Sequence, residues 1–177
     1  MTRIVLLAAL LTLGAVTTLG VYQTKEGAAS AGKVRIGIYD NRSIAVAYAA
    51  SKYNPVKEKK AAHEKAKAAG DQETVKQLEA WGEHHQRILH FQGFGRVPVA
   101  DLLEPVKDGV RDLARRRSLA AITMACDFSA ENVELVDVTE DLVKLYDPSE
   151  KTLATAREVR SIKPADLDKI AEVPTKR

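Results

Sequence analysis

Three of the chain's four histidines fall within residues 83–90, EHHQRILH, and imidazoles packed that closely in sequence invite a metal centre. On a helix each residue advances about 100°, so His84, His85 and His90 point about 100 to 140° apart and cannot close on one ion. A zinc-protease pattern needs its histidines four apart so that both face the same way, whereas these are one, five and six apart. The sequence therefore predicts no metal site, and places His84 and His90 in solvent. His85 falls in the middle of an apolar stripe formed by Leu78, Trp81, Ile88 and Leu89,. It is either a packed imidazole with satisfied nitrogens or an acid–base group, because imidazole changes charge near neutral pH. Trp81, one turn away, reads as a core or interface residue.

A second constellation follows from the strands. Residues 33–39, KVRIGIY, alternate apolar with polar or small residues, the period of a half-buried strand. Residues 119–125, LAAITMA, form a second short apolar run. Joined by a helical crossover these two strands are parallel, so Asp40, Asn41 and Arg42 leave the sheet at the same edge as Asp127. That edge is where helix-flanked parallel sheets carry ligands and chemistry. Asp40 and Asp127 are also ordinary cap and turn residues, so the cluster reads either as local structure or as an enzyme site with His85 as acid or base. Residues 133–138, VELVDV, follow the turn-rich DFSAEN and read as the return strand of a hairpin, which sends Asp137 to the opposite end. The chain has no Gly-rich phosphate loop after the first strand, no Ser nucleophile elbow and no Cys–His pairing. Cys126 is the lone cysteine, so the fold is held by packing and not by an internal disulfide; its apolar neighbours suggest a small buried residue.

The elements that position these residues follow from local signals. Asp40 or Asn41 caps a covered helix that ends before Asn54-Pro55. Residues 56–69 are rich in Lys and Ala with almost no large apolar side chain, which makes a good isolated helix and a poor core element. Gly70 ends that helix and Asp71 caps the next, which runs to about Gln92. After a glycine-containing turn, with Pro98 at the start of the next helix, Val99, Leu102, Leu103, Val106, Val110 and Leu113 repeat as a one-sided stripe, which Pro105 and Gly109 should kink. Thr139 caps a short helix. Asp147-Pro148-Ser149-Glu150 starts another, with Asp147 as cap, and a last short helix follows Pro164.

The first residues bear on destination. Met1-Thr2-Arg3 precedes a stretch from Ile4 to Tyr22 without a charged side chain, and Ala29-Ser30-Ala31 has the small-x-small form of a cleavage site,. Residues 1–31 therefore read as a signal peptide or, if retained, an N-terminal membrane anchor. The remaining residues, 32–177, suit a single domain. The formal net charge is +3, of which the leader's Arg3, Lys25 and Glu26 supply +1. The resulting +2 does not argue for nucleic acid.

The order of parts resembles the Skp/OmpH family of periplasmic chaperones. The likeness is carried by KVRIGIYDNRSIAVAY, by the return through LLEPVKDGVRDLARRRSLAAITMA, and by VELVDVTEDLVKLYDP with its Asp137-Val138-Thr139 helix start. The resemblance implies an α+β fold with a small core of about three strands, a helical arm over residues 42–117, and self-association into a homo-oligomer. It implies an exported, non-enzymatic, chaperone-like protein, periplasmic or secreted or anchored at the inner membrane, that takes no cofactor and binds unfolded or envelope proteins. Lys52, Lys57, Lys59, Lys60, Lys65 and Lys67 would then lie on the arm, facing an acidic client or an anionic membrane; alternatively they are a solvated face. Asn54-Pro55, Gly70, the turn at 93–98 and Pro105 depart from long straight arms and predict a broken excursion. The competing readings are an extracytoplasmic enzyme at the Asp40/Arg42 edge and a membrane-tethered interaction module.

Overall fold

Alternation of Val34, Ile36 and Ile38 with Arg35 and Gly37 builds β1 (Val34–Ile38), which the computed structural model, describing residues 32–171, places at the centre of a three-stranded sheet. The leader expected over residues 1–31 lies outside the described residues, as do residues 172–177. No described helix is long and apolar enough to cross a membrane. β2 (Ala121–Thr123) and β3 (Val133–Asp137) flank β1 in the order β2-β1-β3, and both pairings are parallel.

The expected hairpin between the last two strands is therefore corrected. β3 lies on the far side of β1 from β2, with Ile38 opposite Thr123 on one side and Asp137 on the other. Connections between parallel strands usually need a dozen or more residues. Here the strands are short: the end of β2 and the start of β3 lie roughly 16 Å apart. The intervening segment, residues 124–132, can span roughly twice that distance. A turn-rich composition thus marks a return across the sheet as readily as a hairpin.

One face of the sheet is packed by the helices, and the other is only partly covered. A side chain at Gly37 would meet Leu119, Val138 and Ile122, and Ile122, Val136 and Val138 belong to the main core with the helices. Val34 and Leu135, on the alternate face, are exposed,.

α1 (Asn41–Ala50) leaves β1 and is buried along most of its length. It packs against α3 (Gln72–Phe94), α4 (Ala100–Leu103), α6 (Thr139–Lys144) and α7 (Glu150–Glu158). α2 (Val56–Ala69) ends as expected on Gly70, at φ 71°, and Asp71 caps α3 by accepting from the Thr74 N–H at 3.0 Å. Only Ala66 of α2 is buried, as its composition dictates. α2 packs along α3, and the facing residues 54/85, 59/81 and 63/79 run in opposite directions along the two segments. The pair is an antiparallel hairpin.

The excursion over residues 42–117 is accordingly not one arm. α2 with the facing part of α3 stays outside the core, whereas α1, α4 and α5 (Lys107–Arg116) supply Ile44, Leu102 and Leu113 to it. Pro98 does not open a helix, because α4 begins at Ala100. Pro105 breaks the next helix in a 3-10 turn over Glu104–Val106. Gly109 does not kink the chain: it lies within α5, where an added Cβ would come 2.9 Å from Leu145 Cδ2. Thr139 begins α6 and does not cap it by side chain. The cap of α7 is Ser149, not Asp147, which takes a positive φ of 52°. A short α8 (Leu167–Ala171) ends the described chain. The result is an α+β fold: a mostly helical body on one face of a small parallel sheet.

Candidate functional site

The polar run after β1 is a buried joint. Asp40 caps α1 by accepting from the Arg42 N–H at 2.9 Å, and its carboxylate also accepts from Arg42 Nε at 3.0 Å and Nη2 at 2.6 Å. Arg42 Nη1 donates to the Ile162 carbonyl at 2.5 Å. Asn41 Nδ2 donates to the carbonyls of Gln92 and Gly95, both at 2.8 Å. Ser43 Oγ donates to the Ala156 carbonyl at 2.6 Å. Three consecutive side chains thus tie α1 to the end of α3, to the segment after α7 and to α7 itself. Buried polar atoms need such partners, which explains why they sit inside at all.

Parallel pairing of β3 brings Asp137 to the same edge as Asp40, correcting the expectation that it leaves at the opposite end. The Asp40 N–H donates to Thr139 Oγ1 at 3.1 Å, and the Thr139 N–H donates to Asp137 Oδ1 at 2.9 Å. Asp137 also pairs with Arg160. Burial pushes both aspartates up, but their hydrogen bonds and the adjacent guanidinium, Arg42 or Arg160, outweigh it and hold the carboxyls below the usual range,. Around these groups lies a crevice of about 310 Å³, to which Arg96 and Cys126 also contribute. Asp127 is exposed and stands outside its lining. The Cys126 thiol is half-buried and donates to the Phe128 carbonyl at 3.1 Å, so it is not the fully packed residue its neighbours suggested.

His85 is not part of this edge. Its ring stacks on Trp81, and its Nε2–H donates to Asn54 Oδ1 at 3.2 Å. Two turns of α3, about 10 Å of axial rise, separate it from Gln92, whose carbonyl receives Asn41. Burial, with a smaller push from His84 and against the pull of Asp101, lowers its pKa below the ordinary 6.5. His84 is exposed as expected, whereas His90 is half-buried, edge-on to Phe94 with centroids 5.5 Å apart. Among the described residues no group of three or more His, Cys, Asp or Glu could hold a metal ion.

His85 and Trp81 instead line a second, larger cavity: an open groove of about 920 Å³ between the α2–α3 hairpin on one side and α1 and α7 on the other. Its lining is mostly apolar. Ala45, Val46 and Ala49 of α1 are too small to fill the space beneath the hairpin, Leu78, Leu89 and Phe94 line it from α3, and Ile162 closes the far wall. Phe94 and Ile162 are 55% and 56% exposed. Lys59 and Lys60 stand at the α2 wall, with Lys59 Nζ 5.6 Å from the Trp81 ring centroid, close enough for a cation–π contact. Lys52 lies 5.3 Å from the Tyr53 ring centroid instead, and Lys57, Lys65 and Lys67 are exposed on α2. The basic surface thus divides, with only Lys59 and Lys60 reaching the groove.

The sequence predicts Asp40, Asn41, Arg42, His85 and Asp127 as one cluster. The structure keeps the first three together and sends His85 to the groove. It adds Asp137, Thr139, Arg96 and Arg160 to the crevice. Asp137 was legible only once the direction of β3 is known, and Arg160 arrives through a tertiary return that leaves no local signal. The groove did leave one: an apolar stripe on α3 facing a helix of small side chains. No protein-family model, curated protein or solved structure matches this chain.

Proposed function

We propose that the protein is an exported, non-enzymatic, chaperone-like binding protein of the cell envelope, as in the Skp/OmpH family it resembles. The groove under the α2–α3 hairpin would hold apolar stretches of unfolded polypeptide. One observation carries the reading: an open, mostly apolar groove of about 920 Å³ that presents half-exposed Phe94 and Ile162. Apolar surface of that kind, left open and rimmed by charge, marks an interaction site. Helix-walled grooves take extended or helical segments through apolar anchors. The catalytic alternative draws on Asp40, Arg42 and His85 acting together, and these groups line separate cavities.

The test is suppression of aggregation when a urea-unfolded outer-membrane protein is diluted into buffer. Wild-type protein should keep it soluble. Ala49→Phe, which fills the groove from an exposed position on α1, should lose that activity while keeping its circular dichroism spectrum. Lys59→Glu with Lys60→Glu should weaken holding of acidic clients, and the same change at Lys57, Lys65 and Lys67 should do less. Equal suppression by Ala49→Phe and wild type would remove the groove from the account.

A further inference from the structure

The crevice at the sheet edge has a different character from the groove, and its position follows from topology. β1 leads into α1 on the helical face. With β1→β2 closing right-handed over that face, a right-handed return from β2 to β3 runs over the opposite face. The chains leaving β1 and β2 therefore diverge at their carboxyl ends. In open parallel sheets such a divergence is where a ligand crevice forms. The cavity of about 310 Å³ lies there, lined both by Asp40 after β1 and by Cys126 after β2. Its volume suits a small molecule and not a polypeptide.

The lining chemistry selects the ligand. Arg42, Arg96 and Arg160 face two carboxylates, Asp40 and Asp137. Arg42 is engaged by Asp40 and Arg160 by Asp137, whereas exposed Arg96 has no ion-pair partner among the described residues. Thr139 is 2% exposed; its Oγ1 accepts from the Asp40 N–H and its hydroxyl donates to the Asp137 carboxylate, so it is already engaged. A cation would have to displace a guanidinium from each aspartate. An anion meets a spare guanidinium in a lining that carries three guanidiniums against two carboxylates, and the guanidinium fork suits planar or tetrahedral oxyanions.

We infer that this crevice binds a small molecule through a carboxylate or phosphate group, with Arg96 as its charged anchor. The site is independent of the groove, so failure of one leaves the other standing.

The experiment is thermal melting and titration calorimetry of the purified protein with inorganic phosphate and, separately, with succinate, at constant ionic strength. At least one probe should raise the melting temperature saturably by about 10 mM, and which one does so distinguishes phosphate from carboxylate recognition. Arg96→Gln, at an exposed position, should weaken that probe about tenfold, the loss of one charge-assisted contact, while Ala49→Phe leaves it unchanged. The proposal is overturned if neither probe stabilises, if Arg96→Gln binds as wild type does, or if magnesium or calcium stabilises in place of the anions.

Discussion

Trp81 and His85 stack one turn apart on α3, with ring centroids 4.7 Å apart and planes inclined by 16°. Trp81 is the chain's only tryptophan, so its emission reports on the groove alone, and an imidazolium formed against its face should quench it. Because burial lowers the His85 pKa below 6.5, the emission should titrate with a midpoint below that value and should not titrate in this range in His85→Gln. A midpoint at or above 6.5 would contradict the burial of His85 in the stack.

The same shift has a stability consequence of definite sign. The unfolded chain takes up this proton first as pH falls, since its imidazole keeps the ordinary value. The contribution of His85 is therefore whole above 6.5 and is lost as pH drops through the lowered folded value. Urea unfolding of wild type against His85→Gln at several pH values checks the sign: the difference between them should shrink on acidification.

Gly37 has no room for a side chain. A Cβ there would come 3.0 Å from Leu119 Cδ1, 3.1 Å from Val138 Cγ2 and 3.2 Å from Ile122 Cγ1, and Val138 is fully buried. Overpacking of this kind costs about 1–3 kcal/mol. Gly37→Ala should lower the urea midpoint accordingly, and an unchanged midpoint would mean that the Leu119, Ile122 and Val138 side chains give way around the added methyl.

Arg42→Met should be more damaging. The Arg42 and Asp40 side chains are 5% and 20% exposed, so removing the guanidinium leaves a carboxylate and the Ile162 carbonyl short of donors. The expected loss is about 3 kcal/mol. Adding Asp40→Asn should recover part of it, since the stranded charge disappears. In the wild type, where the Arg42 interactions outweigh burial and depress the Asp40 pKa, the pair's contribution persists above the ordinary carboxylate range and is lost as pH falls through the depressed value. No recovery in the double variant would show that the carbonyl contact and side-chain packing dominate over the charge.

Local signals carried the elements further than their arrangement. Asp40 and Asp71 as caps, Gly70 as a left-handed stop and the Lys/Ala composition of α2 each act within a few residues, and each is legible in the sequence. The direction of β3 is not, because the alternation of VELVDV suits an antiparallel return beside β2 as well as a parallel place beside β1,. The same direction is what brings Asp137 to the sheet edge. Asn41 and Arg42 looked like candidate chemistry because polar residues after a strand often are. Their partners, the carbonyls of Gln92, Gly95 and Ile162, lie 51 to 120 residues away and show that these side chains join elements.

Apolar polypeptide held in the groove would lie against Trp81. The most direct measurement is Trp81 emission while the purified protein is titrated with an unfolded outer-membrane polypeptide that lacks tryptophan. A saturable blue shift is expected, lost in Ala49→Phe at unchanged melting temperature. Emission that stays constant while the polypeptide is demonstrably bound, or a shift of equal size in Ala49→Phe, would contradict it.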